Sequence, residues 1–198
     1  MKKILLSLAI ILVIQQANAQ LFVFERNRNY VQAGYGFGLG YDMILDDYDA
    51  ESGYDFSSFG PVVVGYERAL TKRIGVGLNV SYAACNAQWS DSSDIEYKWS
   101  NLAVMARGAY HFHVCNPVFD PYIGLGLGYV SYSSSFTSSD PDVSEDAYPV
   151  SFPSAFGWQI FSGARYMPFK NFGIYAELCY GTVSTGISFA NCGLTYKF

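Results

Sequence analysis

Few residues in this chain of 198 are equipped for chemistry. His111, His113 and Cys115 stand at i, i+2 and i+4. On an extended segment side chains at that spacing share one face, and imidazole and thiolate together suit a soft metal. Three donors without a fourth make a weak set, so polar lining of a strand face is the main expectation and a metal site the minor one. Six charges, Glu67, Arg73, Arg107, Arg165, Glu177 and Lys197, interrupt stretches of otherwise alternating apolar sequence. If such charges are enclosed they must pair. The two histidines are the only imidazoles in the chain, and there is no G-x-S-x-G, no P-loop and no usable Ser-His-acid set. A hydrolytic nucleophile needs a base within hydrogen-bond reach, so an enzyme is disfavoured and no catalytic residue is assigned. No cofactor is expected.

The elements that hold these residues follow from composition and periodicity. The chain is 51% hydrophobic and 18% aromatic but only 15% charged, with 19 Gly and a net charge of −5. Disorder requires the opposite balance, and a negative chain lacks the electrostatic driver for nucleic-acid binding. Residues 1–19 read as a cleaved signal peptide. Lys2 and Lys3 precede the apolar run Ile4 to Ile14, and Ala17-Asn18-Ala19 forms a small-residue cleavage site. The mature chain, 20–198, is expected to be one domain.

Eight segments of that domain alternate at period two, the signature of two-faced strands: 30–42, 60–69, 73–84, 99–114, 119–132, 155–167, 172–181 and 188–198. In the first, Val31, Ala33, Tyr35, Phe37, Leu39 and Tyr41 oppose Gln32 and a row of glycines. In the fourth the alternation slips near Ser100, where a bulge is expected. Connectors alternate between tight turns (69–72, 115–118, 168–171) and longer loops. Most acidic residues fall in those loops, including Asp46, Asp47, Asp49, Glu51, Asp55, Asp140, Asp142, Glu145 and Asp146.

An eight-stranded meander closes into a barrel whose lumen is only just wide enough for packed side chains. It cannot hold roughly forty large apolar side chains, but it can hold a glycine-rich face. The apolar face therefore points outward, against lipid, and the fold class is all-β: an eight-stranded antiparallel up-and-down transmembrane β-barrel. Glu67, Arg73, Arg107, Arg165 and Glu177 then point into the lumen. Glu67 and Arg73 flank the first tight turn, and reflecting Arg73 across a loop centred near residue 90 lands on Arg107. Glu67, Arg73 and Arg107 are thus expected to form one ion-pair cluster, with Arg165 and Glu177 on the opposite wall. The glycine-rich strands should leave room for these long side chains. No pair among Cys85, Cys115, Cys179 and Cys192 is expected to bridge, because the strand pattern separates them beyond the ~7 Å a disulfide allows.

With the segments NYVQAGYGFGLGYD (29–42), PYIGLGLGYVSY (121–132), QIFSGARYMPFKNFGIYAELCYG (159–181) and GLTYKF (193–198), the mature chain resembles the small outer-membrane barrels of the OmpA and OmpX type. It looks closest to the porin-like β-barrel domain proteins of Bacteroidota. The resemblance implies the outer membrane of a Gram-negative cell. It also implies that Tyr196 and Phe198, alternating at the C-terminus, are the signal read by the barrel-assembly machinery. The expected function is a non-enzymatic integral membrane protein with a structural or surface-interaction role through its acidic loops. A narrow porin-like pore for ions or very small solutes is the alternative, with the lumen charges as a gate rather than a plug, and a lipid-modifying enzyme ranks third. Outer-membrane lipid and lipopolysaccharide, with divalent cations at the acidic loops, are the expected partners of a monomer.

Overall fold

The computed structural model describes residues 23–37, 54–89, 95–138, 154–182 and 189–198. The signal-peptide reading and most of the acidic loop residues lie outside them; Asp55 is described and exposed. Eight strands close into one barrel in chain order. They are β1 (Asn29–Phe37), β2 (Tyr54–Ala69), β3 (Ile74–Trp89), β4 (Ile95–His111), β5 (Phe119–Thr137), β6 (Ala155–Tyr166), β7 (Phe172–Gly181) and β8 (Ala190–Lys197). All neighbours are antiparallel, and β1 pairs with β8 from Tyr30↔Lys197 to Phe37↔Ala190. Closure leaves no backbone edge open to lipid, which the hydrocarbon core requires.

The faces divide as the alternation dictates. Val64, Tyr66, Leu78, Val80, Leu125, Leu127 and Tyr129 are exposed on the outside. Val63, Asn79, Ser81, Met105, Tyr122, Phe161, Arg165 and Tyr175 are buried inside. Enclosed polar groups and exposed apolar ones invert the order of a water-soluble protein, as lipid demands.

Strands β2 to β5 run further from the tight turns than apolar alternation implies. On the outer face of β4, Val104 and Leu102 give way to Ser100, Lys98 and Glu96, while Asn101, Trp99 and Tyr97 stay on the inner face. From Tyr110 to Ser100 the strand rises on the order of 25 Å along the barrel axis, at ~3.4 Å per residue and a tilt of ~40°. That matches the height of an outer-membrane apolar band. The outer face turns polar because the wall emerges from the bilayer. The bulge expected near Ser100 is therefore absent: β4 keeps unbroken register with both neighbours. The register shift lies in β2 instead, between Phe59 and Val62.

Glycine on one strand makes room for bulk on another. A side chain at Gly124 would collide with the Phe161 ring, and one at Gly163 would meet the Tyr122 hydroxyl at 2.8 Å. Residues 23–28, ahead of β1, form a short strap across the mouth at the tight-turn end. Asn27, at φ 65°, tolerates the left-handed turn that lets its N–H donate to the Ala69 carbonyl at 2.9 Å.

Candidate functional site: a buried ion network in the lumen

The charged core of the barrel is built from strand ends near the tight turns. Glu67 lies near the end of β2, His111 closes β4, Asp120 is the second residue of β5, and Arg165 stands just before the end of β6. Arg165 forms an ion pair with Glu67 and reaches Asp120 Oδ2 at 3.4 Å. His111 faces Glu67 Oε1 through Nε2 at 2.9 Å and Asp120 Oδ1 through Nδ1 at 2.9 Å. Both carboxylates only accept, so the arrangement is complete when both imidazole nitrogens donate. In that state two cations face two anions, and the layer is neutral. The rings of Tyr30 and Tyr122 lie 4.8 and 5.0 Å from the Arg165 guanidinium, a favourable placement for a desolvated cation.

A second layer lies further into the lumen. Arg107 pairs with Glu177 Oε2 at 2.6 Å, and the Tyr122 hydroxyl donates to the same oxygen at 3.1 Å. The Cys179 thiol donates to Glu177 Oε1 at 3.3 Å. Arg107 sits 3.5 Å above the Phe161 ring centroid. A void of about 20 Å³ is bounded by residues of both layers, among them Glu67, Arg107, Tyr122 and Arg165. That is room for about one water.

The lumen charges therefore meet in pairs other than those expected. Glu67 finds Arg165, and Arg107 finds Glu177. Arg73 is exposed at the turn, where its guanidinium donates to the Tyr110 hydroxyl at 3.1 Å. The reason is register. On β3 the ladder partner of Arg107 is Gly77, and Arg73 instead lies level with His111, whose N–H donates to the Arg73 carbonyl at 2.7 Å. The β3–β4 loop is centred later than residue 90, which moves Arg73 out of the layer.

His111, His113 and Cys115 do not converge. β4 ends at His111, His113 donates to the Lys72 carbonyl at 2.8 Å, and Cys115 is exposed. Among the described residues no group of three His, Cys, Asp or Glu could hold a metal ion. None of the four cysteines is joined in a disulfide; Cys192 is exposed on the outer face and Cys179 is turned inward. Tyr196 and Phe198 are exposed side by side, ring centroids 6.1 Å apart. Lys197 turns inward and meets Glu25 at 3.3 Å.

Sequence reasoning missed Asp120, Tyr30, Tyr122 and Phe24. Asp120 shares parity with Tyr122 and Gly124, which was the available signal. It lies beside Pro121, next to the tight turn 115–118, where a lone carboxylate is not marked out as a lumen charge.

Gly75 offers a test of this packing. An added Cβ would run into the Glu67 carboxylate, which must leave Arg165 or His111 to make space. Gly75→Ala is expected to cost about 1–3 kcal/mol, the usual range for overpacking, read from urea unfolding in lipid vesicles.

The outer face carries an open groove of about 420 Å³ above the apolar band, lined by Ser57, Phe59, Asn86, Lys98, Ser100 and Ser133 among others.

Residues 5–198 match the outer membrane protein beta-barrel domain family. No curated protein matches the chain. Among solved structures, the outer membrane protein OprG from Pseudomonas aeruginosa is similar at 14% identity and a TM-score of 0.49, covering 88% of this chain and 97% of that one. Outer Membrane Protein W from E. coli is similar at 16% identity and a TM-score of 0.46, covering 88% of this chain and 99% of that one.

Proposed function

The chain belongs to the outer membrane protein beta-barrel domain family, and on that footing we propose that it is a non-enzymatic, non-conducting membrane anchor. Its barrel holds a polar wall and acidic loops at the cell surface. The observation that carries this reading is the filled lumen: two ion-paired layers bound a void of about 20 Å³. A pore needs a continuous wet path, and ordered charge pairs packed on Tyr30, Tyr122 and Phe161 occupy the cross-section instead. The polar outer face of β2 to β5 above the apolar band supports a surface role. Lipopolysaccharide is the matching partner for that height, with divalent cations bridging its phosphates to loop carboxylates. The leader is removed before Gln20, and the protein acts as a monomer.

Mature protein isolated from outer membranes is expected to begin at Gln20 and to give a flat current in planar bilayers. Stepwise conductance would instead support the narrow-pore reading, in which the pairs of Glu67, Arg107, Arg165 and Glu177 exchange and open. Deleting the acidic loops should leave the barrel folded and the envelope intact while removing binding to lipopolysaccharide vesicles.

A further inference from the structure

The strap of residues 23–28 is not a loose tail. Val23 and Phe24 are buried with Tyr30, Ala69 and Met167. The Phe24 ring lies flat on His111, centroids 3.5 Å apart and planes 5° apart. The Tyr30 hydroxyl donates to the Val23 carbonyl at 2.8 Å and accepts from the Glu25 N–H at 3.0 Å. Asn27 donates to Ala69, and Ala69 donates back to Arg28 at 2.9 Å. Glu25 meets Lys197 on β8.

These contacts come from the ends of four different strands. Ala69 ends β2, His111 ends β4, Met167 follows β6, and Lys197 ends β8. The slot for Phe24 exists only when those ends stand in a ring, which is to say only in the closed barrel. The seam between β1 and β8 is the one ladder whose strands no turn or loop connects. Phe198 and Asn29 extend it by a reciprocal backbone pair at 3.0 Å, immediately beside the strap. A segment that binds one conformation and not another shifts the balance by its differential affinity.

We propose that the strap is a latch. It docks last, on the completed ring, and holds the β1–β8 seam shut by plugging Phe24 onto His111 and tying Glu25 to Lys197.

Amide hydrogen exchange of the whole mature barrel in lipid nanodiscs tests this, because it reads local opening. In the wild type the Glu25 and Asn27 amides should be protected. Phe24→Ala removes the buried ring and should speed exchange of the strap amides and of the β1–β8 ladder together, on the order of a hundredfold. The β3–β4 ladder beyond its His111 end, on which the ring stacks, is distant from the seam and should be unchanged. Glu25→Gln leaves Phe24 in place and cuts only the partly exposed pairs of Glu25 with Lys197 and Arg28, so the same pattern should appear at about two- to fivefold. Strap amides that exchange at free-peptide rates in the wild type overturn the proposal. So does a variant in which the strap loosens and the seam does not. If Phe24→Ala yields no folded barrel, Glu25→Gln decides: accelerated seam exchange supports the latch, and unchanged seam exchange refutes it.

Discussion

Replacing Arg165 by Met is expected to destabilise the barrel by about 3–5 kcal/mol, the range for breaking one partner of an enclosed ion pair. Arg165 is 1% exposed and is the guanidinium partner of Glu67 and Asp120. Without it the two carboxylates share only His111, and the layer carries an uncompensated negative charge. Met restores much of the volume, so the loss reports charge rather than a cavity. Glu67→Gln should relieve part of that charge. In a double-mutant cycle the pair Glu67→Gln with Arg165→Met should therefore be less damaging than the two single losses added. Equilibrium unfolding of lipid-reconstituted protein measures all four corners. Strict additivity would mean that Glu67 and Arg165 do not interact.

Leu125→Arg is expected to cost about 2–4 kcal/mol, the range for a cation on the lipid face near the bilayer midplane. Leu125 is 65% exposed at the middle of the outward row of β5, between Phe119 near the tight turns and Tyr129 above it. In water an exposed leucine could take a charge at little cost; in lipid it cannot. The comparison is Ser135→Arg, on the same face of the same strand but above the apolar band. There the expected change is about 0–1 kcal/mol, the value for interfacial positions. Equal losses at the two positions would contradict the placement of the band. A stable Leu125→Arg barrel in lipid would mean that the two faces have been interchanged.

Period-two alternation made the barrel legible. The inward row of Gly124, Gly126 and Gly128 against Leu125, Leu127 and Tyr129 fixes both strand and face without tertiary information. Strand ends were less legible where β2 to β5 leave the membrane, because apolar alternation reports lipid contact and not hydrogen bonding. Ser100, Lys98 and Glu96 continue β4 in full register with β5, yet their outward face is polar and reads as a loop. The site was legible residue by residue and not as a set. Parity put Glu67, Arg107, Arg165 and Glu177 inside. Their partners depend on stagger between strands, and an error of a few residues in one loop centre assigned Arg73 to a layer it does not reach. Asp120 and Phe24 needed more still. The first looked like the flank of a turn, and the second precedes β1, where no alternation marks it.

The lumen is filled by unequal neighbours: Gly124 lies against Phe161, Gly163 against Tyr122, and Gly75 against Glu67. Because an interior at native packing density has little slack, these positions cannot drift one at a time. Growth at a glycine has to be matched by shrinkage at the side chain that fills its space, so the lumen-facing positions of this chain evolve as couples. The lipid-facing positions have no such bookkeeping: a leucine traded for a valine or phenylalanine meets fluid acyl chains that close around either. Divergence in this barrel should therefore run fast and independently on the outside, and slowly, by paired exchange, within.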